Sequence, residues 1–108
     1  MSKLIENEAD LADVIKDQEG VFVMVYASWC PFSARFLPIF EKHSADKTRK
    51  CARVMIDDLE KVSAAYDVDV YPTVLYFKNG KLAERLDGIR GVGLDEKQLK
   101  DFFNACKK

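Results

Sequence analysis

Trp29-Cys30-Pro31-Phe32-Ser33 follows an apolar run, Val21 to Ala27, and precedes a segment from Phe32 to about Lys47 with helical spacing. The run lacks polar alternation, so it reads as a strand covered on both faces. Cys30 therefore stands where a strand ends and a helix begins. Pro31 suits the first helical position, because its missing N–H would be unpaired there in any case. A thiol just before it meets the unpaired N–H groups of the first turn, including those of Phe32 and Ser33, and the positive end of the helix dipole. Both favour thiolate, the form that attacks disulfides. The Ser33 hydroxyl lies on the same side and is expected to donate a hydrogen bond to that sulfur. The Trp-Cys-Pro setting predicts an exposed cysteine.

Upstream, Leu4-Ile5 reads as a short strand. Asn7 caps a first helix with Glu8 and Asp10 in its opening turn, where the dipole favours acids. Leu11, Val14 and Ile15 give that helix an apolar face. Downstream, the second helix carries Phe32, Phe36, Ile39, Phe40 and His43 on one face, with Pro38 inside it and a kink expected there. Cys51 to Asp57 alternates as a third strand, with Ala52, Val54 and Ile56 on one face. Leu59 to Tyr66 is a short helix and Thr73 to Lys78 another apolar strand. Asn79-Gly80 signals a type I′ hairpin, since both residues tolerate positive φ. Leu82 to about Asp87 returns as an edge strand, which its charges suit. Gly88, Gly91 and Gly93 mark a loop. Asp95 with Gln98 forms a capping pair for a last helix bearing Leu99, Phe102, Phe103 and Cys106. The order β-α-β-α-β-α-β-β-α implies an α/β fold, a central mixed β-sheet with helices on both faces.

The 108 residues read as a single domain, 1–108, that is 48% apolar and 32% charged, ordinary for a globular chain. A net charge of −1, with acids and bases mixed, gives no basic face for nucleic acid or an anionic membrane. The N-terminus does not read as a signal peptide, and Val21–Ala27 is too short to span a bilayer, so a cytoplasmic location is expected. Three cysteines rule against a full disulfide framework. Neither they nor His43 show metal-ligand spacing, so no metal and no cofactor is expected. His43 lies thirteen positions beyond Cys30, about 20 Å along a helix, too far to serve it as a base. Cys51 and Cys106 read as packing residues, Arg53 as a strand residue reaching solvent or, second, as a site residue, and Asp57-Asp58 as a solvated strand end.

Tyr26-Ala27-Ser28-Trp29-Cys30, the helix proline Pro38, Val54-Met55-Ile56-Asp57, Tyr71-Pro72-Thr73 and Phe77-Lys78-Asn79-Gly80-Lys81 together resemble the thioredoxin family along nearly the whole chain. The resemblance implies a thioredoxin fold, with Pro72 as the cis-proline that faces Cys30. Three departures stand out. The family's Trp-Cys-Gly-Pro-Cys is here Trp-Cys-Pro-Phe-Ser, a monothiol Cys-x-x-Ser site in which Ser33 replaces the resolving cysteine. The family's buried aspartate, six residues before its first cysteine, matches Met24. Its lysine partner matches Arg53.

The chemistry expected is thiol–disulfide exchange through a mixed disulfide at Cys30, with Ser33 beside it. Trp29, Pro31, Phe32, Tyr71 and Pro72 are expected to line the substrate groove. A dithiol frees itself when its second sulfur attacks; Ser33 cannot, so release must come from another thiol. If the substrate's own thiol attacks, the outcome is isomerisation; if glutathione takes part, it is monothiol exchange or deglutathionylation. The expected partners are thus protein disulfides or glutathione, and the expected state is a monomer. Two alternatives stand beside this: a non-enzymatic binding module, and a Cys-to-Ser trapping variant of a dithiol oxidoreductase. Met24 argues against the second. Cys-Pro-Phe-Ser also resembles the Cys-Gly-Phe-Ser of monothiol glutaredoxins, which share an iron–sulfur cluster, but Trp29 and the Asn79-Gly80 hairpin follow the thioredoxin pattern.

Overall fold

The structure, a computed structural model, describes residues 2–46 and 48–106. Its elements are β1 (Lys3–Ile5), α1 (Glu8–Ile15), β2 (Val21–Tyr26), α2 (Pro31–Ser44), β3 (Cys51–Met55), α3 (Glu60–Ala65), β4 (Thr73–Lys78), β5 (Lys81–Leu86) and α4 (Glu96–Ala105). The expected end of the second helix at Lys47 lies outside the described residues; α2 closes at Ser44, and Pro38 sits within it.

All five strands form one sheet in the order β1-β3-β2-β4-β5. β1 and β2 flank β3 in parallel, and β4 and β5 run antiparallel beyond β2. β2 is central and every one of its residues is buried, which explains its unbroken apolar sequence. β3 stops two residues short of the expected Asp57. The chain turns there, as the Asp58 N–H returns to the Met55 carbonyl and the Leu59 N–H to that of Ile56.

Two cores fill the two faces of the sheet. Leu11, Val14 and Ile15 of α1 and Val62 of α3 pack with Val23, Val25, Ala52, Val54 and Leu75. On the other face, Phe36 and Phe40 of α2 and Leu99, Phe102 and Phe103 of α4 enclose Phe22, Met24, Tyr26 and Val74. Phe22 sits at the centre of this aromatic cluster, 4.6 Å from both Tyr76 and Phe103 between ring centroids.

Local chemistry sets the boundaries. Asn7 accepts the Asp10 N–H, and Asp95 and Gln98 form the full reciprocal capping box. Asn79 and Gly80 both take positive φ, 56° and 82°, in the tight β4–β5 turn. His43 is held at α4 rather than left on an open helix face. Its Nε2 lies 2.8 Å from Glu96, which also pairs with Lys42, and together they hold the Glu96 carboxyl below its usual pKa.

Candidate active site

Cys30 is the N-cap of α2, in extended backbone (φ −93°, ψ 118°), with Pro31 opening the helix. The strand β2 delivers the chain to this point, and the Cys30 N–H bonds back to the Ala27 carbonyl. The expected exposure of Cys30 is corrected by the structure: the residue is only 8% exposed and belongs to the first core with Ala27 and Leu59. Trp29 takes the exposed position instead, at 68%. A turn that ends a buried strand can point only some of its side chains outward, and here the indole points out while the thiol folds under.

Two further expectations about the sulfur are corrected. Cys30 makes no side-chain cap to the first turn of α2. Its Sγ instead donates to the Tyr71 carbonyl at 3.6 Å. Ser33 is almost fully buried, and its Oγ accepts the Ala27 N–H at 3.3 Å rather than bonding to Cys30. The serine thus closes the strand–helix turn from within; a carbonyl beside the next strand receives the thiol.

Of the other residues expected in the groove, Trp29 and Tyr71 come together beside Cys30. The Tyr71–Pro72 peptide bond is cis, Pro72 is buried, and Tyr71 is half-buried. The Trp29 ring meets Tyr71 edge-on at 6.0 Å and 88°, a favoured aromatic geometry. The Tyr71 hydroxyl is fixed by Ser63 of α3 at 2.6 Å. Pro31 is exposed and Phe32 half-buried. Phe32 abuts Gly93, where a Cβ would sit 2.9 Å from that of Phe32. Gly88 packs more closely still on the Pro72 carbonyl and donates its N–H to Thr73.

Asp57 joins the site although its sequence reads only as a strand end. Its carboxylate accepts the Ser28 hydroxyl at 2.6 Å and the Ser28 N–H at 3.0 Å, and these bonds hold it below the usual carboxylate range. The loop that carries Trp29 and Cys30 is thereby tied to the end of β3. The signal was the parallel register: Tyr26 faces Met55, so continuing the pair brings Ser28 opposite Asp57. Arg53 is also placed differently from its expectation. It does not run to solvent but donates to the Ser2 carbonyl and pairs with Glu41 of α2 at 3.6 Å. Met24 is fully buried among Phe36 and Phe40, so its position offers no carboxylate for a proton.

The other cysteines stay away from the groove. Cys51 pairs with Phe22 near the start of β2. From Phe22 to Tyr26 the strand covers about 13 Å before the turn to Cys30 begins. Cys106 caps the end of α4 and lines a cleft of about 390 Å³ with Gly20, Phe22, Arg49 and Tyr76, again at the start of β2. The cations of that cleft are already engaged, Arg49 over the Phe103 ring and Lys50 on Asp17. Burial pushes the Cys51 thiol up to about 12. We therefore expect no Cys51 labelling by iodoacetamide at pH 8 in the folded protein and full labelling in denaturant, read by peptide mass mapping. Among the described residues no cluster of His, Cys, Asp or Glu is arranged to hold a metal.

The family model for thioredoxin matches residues 2–105. The chain belongs to the thioredoxin family. It is 33% identical over 87 residues to the thioredoxin of Mycoplasmoides gallisepticum, covering 80% of this chain and 87% of that one. It is 30% identical over 96 residues to protein disulfide-isomerase A5 of Bos taurus, covering 84% of this chain but 18% of that longer protein. The solved thioredoxin of Fasciola hepatica superposes with a TM-score of 0.85 at 25% identity, over 97% of this chain and 99% of that one. The thioredoxin fold read from the sequence is thus the fold observed, and the chain is a thioredoxin-family thiol–disulfide oxidoreductase.

Proposed function

We propose that this protein performs monothiol exchange through Cys30. One observation carries the reading: Cys30 is the sole thiol at the groove among the described residues, and the position that would resolve its adduct holds a serine bonded to Ala27. In the first step the Cys30 thiolate attacks one sulfur of a disulfide. A Cys30–substrate disulfide forms, the substrate's S–S bond breaks, and the other sulfur leaves as a thiolate. In the second step an outside thiolate attacks the adduct and expels Cys30, which returns unchanged. The protein gains no electrons over the cycle. It moves disulfides between partners, and any net reduction of a substrate draws its electrons from the outside thiol.

The outside thiol decides the outcome. A second cysteine of the same substrate gives isomerisation, a reading supported by the similarity to a protein disulfide-isomerase. When the disulfide attacked joins a protein to glutathione, Cys30 takes up the glutathione and the protein leaves as a thiolate; a second glutathione then frees Cys30, forming glutathione disulfide, which is deglutathionylation. Cys51 and Cys106 do not serve, because both lie at the far end of β2. Trp29, Pro31, Phe32 and Tyr71 offer an apolar surface to a peptide, with Pro72 buried beside Tyr71, and a monomer presents it without obstruction. A cytoplasmic protein would meet glutathione there as the abundant thiol. The test is incubation of the reduced protein with a peptide disulfide. Intact and peptide mass analysis should find one adduct, on Cys30, and Cys30→Ala should form none; an adduct placed only on Cys51 or Cys106 would end this reading.

The burial of Cys30 gives specific support to a second reading, a thioredoxin-fold binding module that retains the groove and turns nothing over. The two separate cleanly. A binding module holds its partner equally well after Cys30→Ala, whereas an exchange protein loses the covalent complex.

A further inference from the structure

Between Gly88 and Gly93 the chain forms a small closed unit. The Ile89 N–H bonds to the Gly93 carbonyl, and the N–H groups of Val92 and Gly93 both return to the Ile89 carbonyl. These bonds are internal, so they shape the turn without placing it. One end is placed by Gly88, pressed on Pro72 and bonded to Thr73. The far end has a different anchor. Arg35 of α2 donates from Nη2 to the Val92 carbonyl at 2.5 Å, and its guanidinium lies over the Phe32 ring at 5.5 Å from the centroid. Gly93 fits beneath this pair: a Cβ there would meet Phe32 at 2.9 Å and the Arg35 nitrogen at 3.3 Å. Just past the turn, Leu94 is buried in the second core and fixes the chain after Gly93 but not the Val92 carbonyl; Arg90 and Asp69, 3.8 Å apart and both exposed, hold little.

Held this way, the turn presents two apolar side chains to solvent, Ile89 at 46% and Val92 at 56%. The turn reaches from Pro72 to Phe32, two residues of the expected groove, and the Trp29–Tyr71 pair provides a further apolar surface there. We propose that Arg35 is a positioning residue for substrate selection, fixing the Ile89–Gly93 turn so that the groove favours cysteines flanked by apolar residues in an extended peptide. The inference rests on the exchange reading above and adds its substrate class. Arg35 touches no reacting atom. It acts through Val92 and Phe32. Lysine is a poor replacement, because only a planar guanidinium can donate to the carbonyl while lying on the ring.

The test uses two synthetic peptides, each with one cysteine carried as its thionitrobenzoate mixed disulfide, one flanked by isoleucines and one by serines. The release of thionitrobenzoate gives the second-order rate at Cys30 for each. The intact protein should prefer the isoleucine peptide, and Arg35→Ala should lower that preference roughly three- to tenfold, the effect of losing one charged hydrogen bond that anchors a loop. Val92→Ser, which leaves Arg35 in place, should lower the same ratio. An unchanged ratio in both variants would overturn the assignment. So would an equal fall with both peptides, since Arg35 would then act on the sulfur or the fold rather than on selection. If the unmodified protein releases no thionitrobenzoate from either peptide, the exchange reading itself fails and this inference falls with it.

Discussion

Replacing Ser33 with cysteine should shorten the life of the Cys30 mixed disulfide on the order of 100-fold or more when no other thiol is present, because the attack becomes intramolecular. The two positions are the N-cap and the third residue of α2, and an N-cap side chain is the one that ordinarily reaches the third residue's backbone. Their β-carbons therefore lie on the same side of the first turn. The new sulfur would attack the adduct, release the substrate as a thiol, and leave an internal disulfide between Cys30 and the introduced thiol. The variant should then reduce insulin with dithiothreitol as electron donor faster than the unaltered protein, whose adduct must wait for dithiothreitol to attack it. The exchange should also carry a stability cost of about 1 kcal/mol, because sulfur accepts the Ala27 N–H less well than the Ser33 oxygen does. Met24 limits the gain: no carboxylate stands there to take the proton of the second thiol. A variant whose adduct lives as long as that of the parent would show that the two side chains are not brought together.

The largest loss of stability is expected from Phe40→Ala. Phe40 is fully buried between α2 and the sheet, 6.5 Å from Phe36 between centroids, in the core that α4 closes. Truncating a buried phenylalanine costs roughly 3–5 kcal/mol through lost transfer energy and the cavity left behind. For a domain of this size that lowers Tm by about 12–20 °C. Trp29→Ala removes a larger ring from an exposed position and should change stability by no more than about 0.5 kcal/mol, while weakening peptide exchange. The contrast separates what holds the fold from what forms the groove, and thermal denaturation followed by circular dichroism reads it directly. Comparable losses in the two variants would place Trp29 in the core, against its exposure.

Most of the fold was legible because its signals are local. The unbroken run of β2, the Asn79-Gly80 turn and the Asp95–Gln98 box each depend on neighbours in sequence. The approach to Cys30 was legible for the same reason. What the sequence did not show depends on pairs far apart in the chain. Arg53 reads as a lone strand cation until α2 brings Glu41 over it. Asp57 reads as a solvated end until β3 is set parallel to β2 and Ser28 arrives opposite. Ser33 was expected at the sulfur, since hydroxyl and thiol share a helical turn, but the unpaired Ala27 N–H competes for its oxygen and wins. Nothing beside Arg35 in the sequence marks it, because its partner at Val92 stands 57 positions away.

The central claim is that the site performs the first half of a dithiol reaction and depends on an outside thiol for the second. The measurement that tests it most directly is the decay of the purified Cys30–peptide disulfide, followed by intact mass with and without glutathione. Without added thiol the adduct should persist; with it, decay should rise in proportion to glutathione and return Cys30 unmodified. Decay at a rate independent of added thiol, with a disulfide appearing between Cys30 and Cys51 or Cys106, would contradict the account.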